Sequence, residues 1–324
     1  MRKLAIITAA ALTALAAVCA WGEWVFEDEW GGTGPAPGRF RDPWGIALAS
    51  SGNVYVGDTC NYRVQYFTPA GSWLGMWGTY GSGPGQFNMP NGVAVAPNDN
   101  VYVMDTLNFR LQYFTSAGSF LGSWGSRGPG NGEFDIVLTV DVAPNGNVYV
   151  ADRNVDARVQ YFTPSGSFLG KWGKTGTGNG EFRNPSGIAI APNGNAYVTD
   201  FGNDRIQYFT ATGSFLGKWG SRGSGKGEFN GPFGVAVGPD GRVYVTDYFN
   251  HRVQYFTSAG SFLGAWGELG NLPGEFINPV GIVPARDGRR VYVADSDNDR
   301  IQYFRWSDPA VEPTSLGRVK ALFK

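Results

Sequence analysis

Apolar and polar residues alternate along this chain for a few positions at a time, stop at a cluster of glycine, asparagine or serine, and then resume. Four such runs follow one another in GIAIA (187–191), NAYVTD (195–200), RIQYF (205–209) and GSFLGKW (213–219). A period of two over runs this short predicts strands, and no segment of useful length keeps the 3.6-residue period of a helix. Pro-Asn-Gly-Asn and Thr-Gly-Ser stand between the runs, as tight hairpin turns require. The unit therefore predicts a four-stranded antiparallel meander.

The pattern returns along the whole chain. Aligned on tryptophan, the connecting stretches read WGGTGPAPGRF from Trp30, WGTYGSGPGQF from Trp77, WGSRGPGNGEF from Trp124, WGKTGTGNGEF from Trp172, WGSRGSGKGEF from Trp219 and WGELGNLPGEF from Trp266. The tryptophans lie 47 or 48 residues apart and each is followed ten residues later by phenylalanine. A period of this size indicates a propeller or solenoid. One such sheet cannot bury both faces alone, whereas radial packing against copies of itself does so. Six first strands begin near Gly45, Gly92, Thr139, Gly187, Gly234 and Gly281, yet only five outer strands follow, and the repeat runs out at IQYF (301–304). VFEDEWG (25–31) fits the outer-strand pattern and is expected to complete the last blade. The expectation is an all-β, six-bladed propeller of four-stranded antiparallel blades over 21–305, closed by an N-terminal outer strand.

KTGTGNG within the fourth connecting stretch has the look of a phosphate loop, but a P-loop needs a first glycine where Phe168 stands, and six copies argue for a structural turn. The strand–turn–strand segments VYVTDYFNHRVQYF (243–256) and VYVADSDNDRIQYF (291–304) carry the motif V-Y-V-x-D-x-x-N-x-R-V/I-Q-Y-F. In this motif the chain resembles the NHL-repeat family of β-propellers from Val25 to about Phe304. The resemblance implies the propeller fold and leaves function open, because such propellers serve as enzymes, sensors and binding platforms. Family members that act as zinc-dependent lyases use several histidines. This chain has one, His251, at a repeat position held elsewhere by Tyr62, Phe109, Asp204 and Asp299, and it is read as a repeat position. The Asp–Arg pairs, such as Asp58 with Arg63 and Asp247 with Arg252, bracket the same turn and are expected to bind each other and the loop amides, together with Asn61, Asn108, Asn203, Asn250 and Asn298. The connecting-loop tryptophans are expected to pack against the outer strands.

Residues 1–20 combine a basic start, an apolar stretch and small residues with Val18 and Ala20 where a signal peptidase reads, and are expected to be a secretory signal. Their apolar run is short for a membrane span. Cleavage after Ala20 removes Cys19 and leaves Cys60 without a disulfide partner, so the fold must rest on packing. Lipidation of Cys19 is the alternative. A formal net charge of −1 offers no field to attract nucleic acid. In the tail 306–324, Leu316, Val319, Leu322 and Phe323 can form one face of a short helix, as a docking tail or a frayed end.

Function is then sought where the repeat breaks. The loops between second and third strands share one face of the ring with the connections between blades. On that face the residue between proline and glycine at each channel mouth is Trp44, Asn91, Leu138, Ser186, Phe233 and Val280, and neighbouring loops add Tyr62, Phe109, Phe201, Tyr248 and Phe249. This predicts an aromatic-rich interaction surface around an axial opening. Blade three departs furthest: it has Thr139 for glycine, Asp141 where the others have Ala or Val, and a longer loop, DRNVDAR (152–158), with Arg153 and Asp156. Asp141 either orients a ligand or holds a cation at the channel, or is drift solvated by channel water. The expected function is a secreted, non-enzymatic binding or scaffold propeller with no cofactor and no resident metal, whose partner is a protein, peptide or glycan. The alternative is an extracytoplasmic metal-dependent lyase or hydrolase with a site at the channel mouth near blade three, beside Asp141. RNA binding fits badly with Asp156, Asp204, Asp297 and Asp299 on the candidate face.

Overall fold

The structure is a computed structural model that describes residues 22–153 and 157–307; the expected signal segment, Asp156 and residues 308–324 lie outside the described residues. Blade one consists of β2 (Pro43–Leu48), β3 (Val54–Asp58), β4 (Arg63–Phe67) and β5 (Trp73–Trp77), paired antiparallel in that order. The pattern repeats as β6–β9 over 90–124, β10–β13 over 137–172, β14–β17 over 185–219 and β18–β21 over 232–266. In the sixth blade β22 (Pro279–Pro284), β23 (Arg290–Asp295) and β24 (Arg300–Ser307) are joined by β1 (Glu23–Gly31), which pairs antiparallel with β24. The ring is thus a six-bladed propeller closed between the two ends of the chain.

Closure is more extensive than the repeat suggests. β1 starts at Glu23 and β24 runs on to Ser307, so Trp306 and Ser307, assigned to the tail by sequence, belong to the sheet. A register shift between Phe26 and Asp28 accommodates the extra length. Glu27 pairs with Arg290 at 2.7 Å and Glu29 with Arg300 at 2.8 Å, adding ion pairs across the junction.

Adjacent blades meet through aromatic rings laid on glycine turns. The Trp172 indole covers the hairpin of the next blade at Gly213, where a Cβ would lie 2.5 Å from the ring and φ is +93°. Trp30, Trp77, Trp124 and Trp219 cover Gly71, Gly118, Gly166 and Gly260 in the same way. Beside this contact, the second-strand tyrosine donates to the next hairpin's backbone, as from Tyr197 Oη to the Ser258 carbonyl at 3.0 Å. Trp266 has no such hairpin to cover, because the sixth blade's outer strands come from different ends of the chain. Trp24 of β1 packs there instead, 5.7 Å from Trp266, with Trp306 5.4 Å from Trp24.

Within each blade a buried carboxylate holds the glycine-rich connection. Asp200 Oδ1 accepts from the Arg183 amide at 2.6 Å, while Oδ2 accepts from Asn203 at 2.9 Å, Arg205 Nε at 2.7 Å and Gln207 at 3.1 Å. The Arg205 fork then donates to the carbonyls of Thr177, Gly178 and Glu181. These carbonyls face an arginine, whereas a phosphate cradle must present N–H groups. The stretch that resembled a phosphate loop is therefore a connection pinned from below.

Two outcomes follow from these contacts. Truncating the chain through Gly31 removes the outer strand and exposes both a strand edge and the Trp266 surface; thermal melting should lose its cooperative transition or shift far down. Gly213→Ala both collides with Trp172 and forces alanine into a left-handed backbone, so denaturant unfolding should show a loss of about 1–3 kcal/mol.

Candidate functional site

The mouth of the channel on the variable face is set by how closely the inner strands approach. A Cβ on Gly234 would stand 2.1 Å from the Val280 carbonyl oxygen, and one on Gly281 would stand 2.1 Å from that of Trp44. Glycine after the mouth residue thus lets neighbouring backbones touch. Blade three is the exception: Thr139 fits, and its hydroxyl donates to the Ser186 carbonyl at 2.6 Å.

With the ring this tight, side chains from different blades meet across the axis. Leu138, Phe233 and Val280 are buried together, with Trp44, Phe201 and Tyr248 packed around them. Phe233 is the hub, with ring centroids 5.3 Å from Trp44, 5.9 Å from Phe201 and 5.6 Å from Tyr248. The sequence predicted aromatics around an opening; the structure has an aromatic plug. Leu138 and Phe233, expected to contact a partner, form its base and are not presented to solvent. Changing Phe233 would therefore disturb the plug itself.

What the face does present lies above and beside the plug. Phe249 is 50% exposed, 4.9 Å from Tyr248 and 5.9 Å from Phe201. Arg153 places its guanidinium 5.4 Å from the Phe201 ring centroid, a cation–π contact. Burial pulls its pKa below the usual arginine value, and among the described residues it has no carboxylate partner. Tyr62 and Phe109 are turned to other neighbours: Tyr62 stacks edge-on with Tyr80 at 4.9 Å, and Phe109 lies under Arg127 at 5.1 Å. Neither belongs to the plug.

Two carboxylates complete the opposite side: Asp297, which the sequence placed on this face, and Asp42, which it did not. Asp42 Oδ1 accepts from Trp44 Nε1 at 2.7 Å and from the Ser296 hydroxyl. These contacts place Asp42 beside the plug, and the Tyr248 phenol is pushed up, first by burial and then by Asp297 and Asp42. Nothing in the repeat pattern singles out Asp42; its backbone is left-handed, with φ +58°, and only the folded chain shows it turned toward Trp44.

Asp141 is not at the mouth. It lies on β10 below the plug, facing a lumen cavity of about 210 Å³ lined also by Leu48, Val95, Val237 and Pro284. Its Oδ1 accepts from the Val142 amide at 2.8 Å and its Oδ2 from the Ile190 amide of blade four at 2.6 Å. The carboxylate is therefore a clasp between two inner strands, which corrects its placement beside a mouth ligand. The crowding lumen walls push its pKa up to about 6, against the two amide donors. The side chain is only half-buried, so it keeps contact with the lumen. Below it the channel widens between Pro97, Pro144, Pro192, Pro239 and Arg286 on the tight-turn face.

His251 is likewise accounted for by packing. It holds the left-handed residue of its turn, with φ +53°, and Nδ1 accepts from the Asn278 amide of the next blade at 3.1 Å. Asp204 and Asp299 do the same for Gly231 at 2.9 Å and Asp42 at 2.7 Å. Burial, then Asp42, raises the Cys60 thiol pKa, so the sulfur stays protonated. Among the described residues no group of three His, Cys, Asp or Glu is placed to hold a metal ion.

Comparison with known proteins agrees with this architecture. The NHL repeat profile matches residues 40–67, 87–114, 182–209 and 229–256, the first-to-third-strand segments of blades one, two, four and five. No curated protein sequence matches significantly. Among solved structures, a gluconolactonase from Xanthomonas campestris is 15% identical, with 90% of this chain and 99% of that one covered at a TM-score of 0.62. A streptogramin B lyase is 13% identical over 89% and 98% at 0.60. Virginiamycin B lyase from Staphylococcus aureus is 15% identical over 87% and 99% at 0.57. At such identities the likeness is one of fold.

The clasp makes a pH-dependent prediction. The Asp141 carboxyl is raised from 3.8 to about 6 in the folded state, so folding favours its protonated form. Its stabilising contribution is complete below pH 4 and is lost as pH rises through 6. Melting wild type and Asp141→Ala in parallel from pH 7 to pH 4 should therefore show wild type gaining on the variant, by on the order of 1–3 kcal/mol. A difference that does not change with pH would show that the lumen does not perturb this group.

Proposed function

The chain belongs to the NHL-repeat family of six-bladed β-propellers, and from that premise we propose that it is a non-enzymatic binding propeller that docks a protein or peptide on its variable face, over the aromatic plug. One observation carries this reading. The repeat's own polar side chains are spent on holding the fold, while above the plug a half-exposed Phe249 and Arg153, which has no carboxylate partner among the described residues, remain available to a partner. Aromatic residues and arginine are the residue types that supply most of the binding energy at protein interfaces. With residues 1–20 read as a secretory signal, the protein acts outside the cytoplasm, at the cell surface or in the periplasm.

A metal-dependent lyase or hydrolase is the second reading, favoured by the fold likeness to gluconolactonase and streptogramin lyase propellers. Elemental analysis of the purified chain separates the two: stoichiometric zinc or calcium retained through dialysis would favour the enzyme. For the binding reading, Phe249→Ser should leave melting within the small range typical of surface changes, about 0.5 kcal/mol. The same variant should lose capture of peptide ligands from an immobilised library.

A further inference from the structure

The variable face is divided electrically. Steps between neighbouring ring centroids lead from Arg153 to Phe201 (5.4 Å), from Phe201 to Phe233 (5.9 Å) and from Phe233 to Tyr248 (5.6 Å). On the other side of Phe233, Trp44 lies 5.3 Å away and donates Nε1 to Asp42 at 2.7 Å, and Asp42 also accepts from Ser296, the sequence neighbour of Asp297. A cation with no carboxylate partner among the described residues thus lies at one end of an apolar floor, and two carboxylates lie at the other. The polar atoms at the two ends differ in what they still need. Asp42 already accepts from Trp44 and Ser296, and Asp297 accepts from Asn278 at 2.6 Å, yet Asp297 remains exposed. Arg153 holds its guanidinium over the Phe201 ring, and among the described residues the N–H donors of that guanidinium make no hydrogen bond, so they are open to a ligand.

We propose that this floor binds a short peptide with both termini free and apolar side chains, its carboxylate on Arg153 and its ammonium group toward Asp297 and Asp42. This rests on the reading of the variable face as a binding surface and specifies its ligand. Charge complementarity selects the class. A fatty acid would satisfy Arg153 but leave the acidic end facing hydrocarbon, and a polyamine would do the reverse. A neutral sugar would use the aromatic floor and neither charge. An extended chain advances about 3.4 Å per residue, so the centroid steps correspond to a few residues rather than a long segment. Carboxylate recognition by an arginine edge is charge-assisted and geometrically selective, which lysine at the same place would not reproduce.

The test uses a tetrapeptide of leucine and phenylalanine in four forms: both termini free, amino terminus acetylated, carboxyl terminus amidated, and both blocked. Each is titrated calorimetrically into the purified chain and into Arg153→Met, Asp297→Asn and Phe249→Ser, all first checked by thermal melting. The proposal expects the free peptide to bind best and amidation to weaken wild-type binding about tenfold or more. It expects amidation to make little further difference in Arg153→Met, and acetylation to matter in wild type but not in Asp297→Asn. Arg153→Lys should not restore the wild-type preference for a free carboxylate. If all four forms bind wild type equally and Phe249→Ser weakens them all, the face binds peptides but the charge assignment is overturned. If none of the forms binds, the binding reading of the face falls with it. Free and amidated forms equally weakened by Arg153→Met would make Arg153 a packing residue and also overturn the proposal.

Discussion

The ring stands on one buried carboxylate per blade. A carboxylate such as Asp200 is tolerable away from water because an amide, an asparagine, an arginine and a glutamine all donate to it. The arginine is tolerable because the remainder of its fork is filled by loop carbonyls. Removing either charge would leave the other buried and unpaired, a loss of about 3–5 kcal/mol. This arrangement converts a flexible, glycine-rich connection into a fixed platform. It also consumes the polar groups that a superficial reading would assign to catalysis, and thereby directs any function to residues outside the network.

Most of the architecture was legible because a repeat states the same constraint several times. Trp172 with Gly213, or Asp200 with Arg205, is uninformative alone and decisive when it recurs at one spacing. The candidate site was legible only in part. The sequence identified which residues stand at the mouth, but whether Leu138, Phe233 and Val280 surround a hole or fill it depends on the radius of the ring. That radius follows from backbone contacts at Gly234 and Gly281 whose tightness no periodicity expresses. Asp141 was misplaced for a related reason: its partner is the backbone amide of Ile190, which is present whatever side chain stands there. The added reach of β1 and β24 was missed because Trp24 and Trp306 lie outside the repeated register, beyond an irregularity at Glu27.

The same geometry gives the two ends of the channel different characters. On the variable face large apolar side chains pack across the axis and narrow it to a cavity of about 60 Å³. On the tight-turn face the lumen opens between proline-bearing turns, with a single carboxylate clasp above it. The left-handed turn residues add to this contrast: in blades four, five and six Asp204, His251 and Asp299 each accept from the next blade, whereas Tyr62 and Phe109 in blades one and two do not. Blades four, five and six are therefore latched to the next blade through polar groups, and in blades one and two the same position rests on aromatic contacts.

The junction of β1 with β24 also fixes the order of events in folding. Glu23 pairs with Ser307 and Trp30 with Ile301, contacts separated by almost the whole described chain, whereas every other blade is built from neighbours in sequence. Local meanders form before contacts that must bring distant segments together. The sixth blade is thus the seam of the ring, last to close and first to open. Opening at this seam would expose the β1 and β24 backbone to a protease, and it is opposed by the ladder between them, two ion pairs and the Trp24–Trp306 contact.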